Sequence, residues 1–343
     1  MKRIAATIAV LIIALAVLDV LSAALCSSTG LPDRVVDIQH PTTLVAKLDH
    51  LRMAPHPKVV LLGDSLVYGG ILEDFGDADW REHELGTQLT NELGGSTFVM
   101  NLGINGALPL DLEALVSLVA ACDVDWIVFD MHLRPFSADF SAPAQQMSRP
   151  WLRELQTDGS GQAHWRPARS DTSRWLTGRL ADGSFLVRNR MLIQENLLST
   201  KPARQPRLRP SVAKSETDAE IEGLMRLAQL KNRLRKLDLS PDDPQAGALQ
   251  RTLRNLADRR QKHVVFYAKE NPALLPDVME PDDHARQYDR LVKLVDDAQG
   301  PSGVYLLPIP DLEERHFVDF THLNAEGYRI LARHLAATIR PAK

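Results

Sequence analysis

Five apolar runs of strand length recur along the chain. They are KVVLLG at 58–63, STFVMNLG at 96–103, DWIVFDM at 125–131, HVVFYAK at 263–269 and GVYLLPI at 303–309. Stretches with helical patterning lie between them, around 82–93, 109–122, 281–298 and 324–340. A strand that is apolar at nearly every position must be buried on both faces, and helices between successive strands supply the cover. The order predicts an α/β fold with a doubly wound, flavodoxin-like parallel sheet of five strands. In such sheets the ligand site lies beyond the carboxyl ends of the strands. The first run ends in Gly63-Asp64-Ser65 and so delivers a serine to that edge.

The spacing of the runs is uneven. A large, mostly helical insert, at about 132–260, separates the third from the fourth. Residues 132–172 read as loop and carry Trp151 and Trp165. Residues 173–200 read as an amphipathic helix with a basic face. KPARQPRLRPSVAK at 201–214 holds five basic residues and no acidic one, and its prolines forbid a regular helix. Two helices, at 216–237 and 243–260, are expected to pack on the sheet. The basic part of the insert reads either as a surface for anionic lipid or glycan, or as a solvated charged face.

Ahead of the sheet, Lys2 and Arg3 precede IAATIAVLIIALAVLDVLSAALC, in which Asp19 is the one charged residue. A helix of that length crosses roughly 30 Å of hydrocarbon. The basic flank stays in the cytoplasm, which puts the remainder outside. Residues 1–27 are therefore expected to be a membrane anchor or a signal segment, the small residues in LSAAL suiting cleavage. The expected topology is a single pass through the cytoplasmic membrane with the bulk on the periplasmic side. Residues 28–57, broken by Pro32, Pro41 and Pro55, read as a tether with a short helix near TTLVAKLDHL. The main domain then occupies 58–343.

The composition is globular, with 44% hydrophobic residues, and the net charge of −4 does not suggest a nucleic-acid partner. Cys26 and Cys122 provide neither a disulfide framework nor a CxxC pair. The histidines show no metal-binding spacing, and no phosphate loop or dinucleotide fingerprint is present, so no cofactor or metal is expected. His263 and His316 read as structural.

A tight strand-to-helix turn projects a serine hydroxyl above a sheet and gathers backbone N–H groups around it. Asp64 is suited to capping the helix that follows. Near the C-terminus, DFTHLNAEGY at 319–328 precedes the last helix. Histidine titrates in the range a general base needs, and Asp319, three residues before His322, is placed to fix its tautomer. Asn324 is placed to cap the final helix, whose buried face starts at Tyr328. Read alone, each motif has a plain structural explanation as turn and cap.

Together the two motifs resemble the SGNH, or GDSL-like, hydrolases and acyltransferases, over residues 58–131 and 263–340. The resemblance implies that Ser65 is the nucleophile, His322 the general base and Asp319 its orienter. It implies an oxyanion hole from the Ser65 and Gly106 N–H groups, with Gly103 as the alternative glycine. The family's Asn-containing third block is absent. Asp130, His132 and Arg134 stand there instead, and His132 and Arg134 are candidates for oxyanion or substrate contacts. The departure, the leader and the insert are similar to divergent membrane-anchored members that modify envelope polymers. The implied function is an exported O-acyltransferase or acyl esterase working through an acyl-serine on a cell-envelope or secreted glycan. Its implied partners are an acyl donor or a membrane acyltransferase, a glycan acceptor and the membrane. Two other readings stand beside it: an ordinary secreted lipase or esterase, and an inactive glycan-binding or scaffold protein.

Overall fold

The structure is a computed structural model. It describes residues 10, 13–14, 16–22, 38, 40–140, 148–193, 228–234, 236–259, 261–298 and 304–339. The helices that frame the site are α1 (Pro41–Met53), α2 (Ser65–Tyr68), α3 (Leu85–Glu92), α4 (Pro109–Val119), α5 (Thr172–Gly183), α6 (Phe185–Ile193), α7 (Pro244–Ala257), α8 (Pro281–Asp296) and α9 (Ala325–Ile339). The strands are β1 (Lys58–Leu62), β2 (Phe98–Asn101), β3 (Trp126–Met131), β4 (Leu155–Thr157), β5 (Ala163–Trp165), β6 (Lys262–Tyr267) and β7 (Val304–Leu307).

β1, β2, β3, β6 and β7 form one parallel sheet in the order β2-β1-β3-β6-β7. The strand period of two sorts its side chains into two cores. Val60, Leu62, Ile127, Phe129, Val265 and Tyr267 face one side and meet Leu48, Leu115, Leu253 and Leu291 from α1, α4, α7 and α8. Val59, Leu61, Val128, Val264 and Phe266 face the other and meet Leu85, Leu89, Leu331 and Leu335 from α3 and α9. Each strand is thus covered on both faces, which is why its sequence is apolar without alternation.

Three local expectations differ from what is found. The short helix expected near TTLVAKLDHL is present, but residues 41–53 do not lie along a tether. They form α1, and Leu44, Val45, Leu48 and Leu51 enter the core. Pro41 opens this helix, where its missing N–H costs nothing, and His40 Nδ1 accepts from the Thr42 N–H at 3.2 Å. The helix expected over 173–200 is broken between α5 and α6 at Gly183-Ser184. The expected loop over 132–172 contains an antiparallel pair, β4 with β5. Residues 201–214, Cys26, and the first part of the helix expected at 216–237 lie outside the described residues. So does most of the N-terminal apolar segment. Among the described residues no helix is long and apolar enough to cross a membrane.

Candidate active site

The β1 strand runs out at Leu62, and Gly63 carries the chain into the turn. A Cβ on Gly63 would sit 2.6 Å from Asp130 Cβ and 2.3 Å from a Val67 methyl, so only glycine lets β1, β3 and α2 meet here. Asp64 then caps α2, its Oδ1 accepting from the Leu66 N–H at 3.0 Å. Ser65 follows as the first helical residue, with a backbone N–H that has no partner inside the helix.

His322 arrives from the other end of the chain. Its loop is closed by the Phe317–Leu323 bridge and by the Val318 N–H donating to the His322 carbonyl at 2.9 Å. The loop after β6 braces it, with the Asn271 N–H donating to the Phe320 carbonyl at 2.8 Å. Asn324 Oδ1 caps α9 by accepting from the Gly327 N–H at 3.0 Å. In α9, Tyr328 is fully buried and its hydroxyl donates to the Leu66 carbonyl at 2.8 Å, which joins the two halves of the site.

The outcome is a continuous hydrogen-bonded chain. Ser65 Oγ lies 2.8 Å from His322 Nε2, and His322 Nδ1 lies 2.8 Å from Asp319 Oδ2. Both Ser65 and His322 are buried. Burial by itself raises the Asp319 pKa, but the hydrogen bonds and charge of His322 outweigh it and hold the carboxyl below its ordinary value. An ionised Asp319 fixes the Nδ1–H tautomer and leaves Nε2 free to accept from the serine.

Two glycines compete for the second backbone donor. The Gly103 N–H is committed to Asn101 Oδ1 at 2.8 Å. Gly106 sits at φ +67° in a turn pinned by the Ala107 N–H to the Ile104 carbonyl at 2.8 Å and by Arg149 Nη2 to the Asn105 carbonyl at 2.8 Å. Among the described residues the Gly106 N–H meets no backbone acceptor.

His132 and Arg134 lie beyond β3 and line a cavity of about 110 Å³ together with His322. His132 Nε2 is 2.8 Å from Asp64 Oδ2. Asp130, on the same strand end, is buried, and burial together with the neighbouring Asp64 charge pushes its pKa well above the ordinary value. Its Oδ1 meets no donor among the described residues, as suits a protonated acid. The opposite wall of the cavity is apolar, from Leu230, Leu234 and Phe320. Glu270 completes the lining, its Oε1 accepting from the Tyr267 hydroxyl at 2.5 Å and its Oε2 lying 3.0 Å from His284 Nε2. Sequence reasoning missed Glu270 and the two leucines. The signal for Glu270 was its place just past the end of β6.

His263 and His316 stand apart from this site. His263 is buried in β6, and His316 Nδ1 accepts from the Glu313 N–H at 2.9 Å. Among the described residues no cluster of side chains is arranged to hold a metal ion.

No family model matches the chain, and no curated protein matches it. Among solved structures it is similar to Est24, a carbohydrate acetylesterase from Sinorhizobium meliloti, at 11% identity. That match covers 82% of this chain and 97% of the other, with a TM-score of 0.39. It is also similar to LAE5, an α/β hydrolase from the metagenome of Lake Arreo, at 12% identity over 84% and 96% with a TM-score of 0.39. A third is the aryl esterase of M. smegmatis, at 13% identity over 82% and 98% with a TM-score of 0.38. These are distant likenesses.

Proposed function

We propose that this protein is an SGNH-type serine O-acyl esterase or O-acyltransferase. Held by its N-terminal segment outside the cytoplasmic membrane, it acts on a cell-envelope or secreted glycan. The observation that carries the reading is the unbroken chain Ser65–His322–Asp319, built from residues at opposite ends of the polypeptide. A buried serine hydroxyl directed at an imidazole whose other nitrogen is held by a carboxylate is the arrangement that activates an alcohol as a nucleophile.

In this reading the Ser65 oxygen attacks the acyl carbonyl carbon while its proton passes to His322 Nε2. Negative charge gathers on the carbonyl oxygen, where the Ser65 and Gly106 N–H groups stabilise it. The tetrahedral species collapses and expels the donor's alcohol oxygen, which takes the proton from His322. An acyl-serine remains. A glycan hydroxyl, or water, then gives its proton to His322 and attacks the acyl carbon, and Ser65 leaves with that proton restored. The anchor and the missing third-block asparagine favour a glycan hydroxyl as the acceptor. The acyl donor is then a small ester or a membrane acyltransferase that hands over its group.

Fluorophosphonate labelling followed by intact-mass measurement tests the reading. The expected result is a single covalent adduct on the full chain, absent from Ser65→Ala. An acyl adduct formed from an ester donor should be discharged by candidate glycans faster than by water. If the wild-type chain takes up no label under conditions that label a serine esterase, the nucleophile assignment is wrong.

A further inference from the structure

Asp19, the one charged residue between Ile4 and Cys26, is bound by the insert. Its Oδ1 accepts from the Ser184 hydroxyl at 2.7 Å and from the Leu186 N–H at 2.7 Å, and its Oδ2 accepts from the Phe185 N–H at 2.9 Å. Ser184 joins α5 to α6, so helical residues 16–22 supply the cap for a helix far along the chain. Arg188 of α6 in turn pairs with Asp49 of α1, which ties this corner to the sheet domain.

Exposed apolar side chains gather on the same two elements. Val17, Leu18, Val20 and Leu21 are 52–69% exposed around Asp19. On α5, Leu176 and Leu180 are each 51% exposed and lie four residues apart, hence on one helical face. Outside these elements, the exposed large apolar residues among those described are Val10 and Ile13, from the same N-terminal apolar segment, and Met53 and Phe75. Next to the leucines, the Arg179 guanidinium stands 5.9 Å from the Trp175 ring centre. Such an aromatic and a long cationic side chain suit a membrane–water boundary, the ring at headgroup level and the charge reaching toward water.

Helix geometry sets the depth. A bilayer core takes about 20 residues, and a helix that enters near Ile4 reaches Asp19 after about 23 Å, close to the outer edge of the hydrocarbon. An unpaired carboxylate at that depth would be costly, and the three donors at the α5–α6 corner remove the cost. The corner must lie as deep as the residue it binds. We infer that the α5–α6 corner rests in the outer interface of the lipid bilayer, with Leu176 and Leu180 against the acyl-chain boundary. This rests on the reading of the N-terminal segment as a retained membrane helix. The sheet domain then sits directly on the membrane rather than at the end of a free tether.

The test uses the full chain reconstituted into phosphatidylcholine–phosphatidylglycerol vesicles, with and without brominated acyl chains. Flotation reports the anchor, and tryptophan quenching reports the corner. Wild type should float and be quenched by the brominated lipid. Trp175→Phe should float and lose most of that quenching, and Leu176→Asp/Leu180→Asp should float with quenching reduced. If the protein floats but Trp175→Phe is quenched as strongly as wild type, or wild type is not quenched, the corner does not touch lipid and the inference fails alone. A chain that does not float overturns the anchor reading and the inference with it.

Discussion

His132 Nε2 lies 2.8 Å from Asp64 Oδ2, so the residue before Ser65 is held from the end of the third strand. Burial lowers the His132 pKa and outweighs the opposing pull of Asp64, which leaves the ring neutral with its one N–H donated to the carboxylate. The other ring nitrogen then carries a lone pair. In that state His132 accepts and cannot stabilise an oxyanion, so its part is to position Asp64 and, through the α2 cap, Ser65. His132→Ala should lower kcat/KM by about 10–100-fold, the scale of a lost hydrogen bond to a charged group. His132→Gln, which keeps a donor, should recover most of the loss, with KM little changed in both. Steady-state kinetics on a chromogenic ester would check it. Equal losses in the two variants would place His132 at the reacting atoms instead.

The two glycines after β2 should fail in different ways. A Cβ on Gly103 would stand 2.3 Å from the Tyr68 backbone nitrogen, against the helix that begins with the serine. Gly103→Ala should therefore yield little folded protein. Among the described residues Gly106 has no such neighbour, a Cβ meeting only Arg149 Nη2 at 3.7 Å, but its φ of +67° strains any other residue. Gly106→Ala should fold with a loss of about 1–2 kcal/mol. If its N–H serves the oxyanion, the turn's readjustment should lower kcat while fluorophosphonate labelling of Ser65 persists. Thermal unfolding beside single-turnover acylation separates the two effects.

How much was legible follows from how local each signal is. The five sheet strands announced themselves because strands buried on both faces carry unbroken apolar runs. The Asp319–His322 pair was legible because the carboxylate and the imidazole share one loop. The helix near TTLVAKLDHL was legible, but the prolines around it made the stretch read as a tether, and nothing local showed that α1 packs into the core, although Pro41 marks a helix start as readily as a break. The β4–β5 pair was too short for periodicity, yet Asp158-Gly159-Ser160-Gly161 between its strands is a turn signal. Asp19 meeting Ser184 across 165 positions had no local signature at all, and neither did the apolar wall that Leu230 and Leu234 give the cavity.

Tyr328 reads as a core aromatic, but its hydroxyl has a second task. It donates to the carbonyl of Leu66, the residue after Ser65, in a site closed to water. Burial raises the Tyr328 pKa well above its ordinary value, helped by the nearby carboxylates, so the group stays a donor throughout the working range. Tyr328→Phe leaves that carbonyl unpaired and should destabilise by about 1–3 kcal/mol. Because the bond links α9 to α2, the serine–histidine distance should loosen as well, lowering kcat more than KM. Chemical denaturation and steady-state kinetics on one preparation would show both. A stability loss with unchanged kcat would mean that α2 is held firmly enough without it.

His263 is a place where acid should weaken the fold. It lies in β6 at 1% exposure, and both ring nitrogens lack a partner among the described residues. Burial, with a smaller push from Arg259, lowers its pKa from 6.5 to about 4. Because the folded value is depressed, the unfolded chain binds the proton more tightly between those two points. Stability contributed by the neutral ring is therefore complete above about 6.5 and is lost as the pH falls toward 4. His263→Leu keeps the volume, removes the titration and deletes two unsatisfied polar atoms. It should raise stability at neutral pH by about 1–3 kcal/mol and flatten the fall of the unfolding temperature across that window. Thermal unfolding of both proteins in steps of pH would measure it. A variant whose unfolding temperature falls with acid as steeply as the wild type would show that another group sets the acid limit, and the buried carboxyl of Asp130 would not be that group. Its pKa is raised on folding, so it favours the folded state at low pH and weakens it as the pH rises.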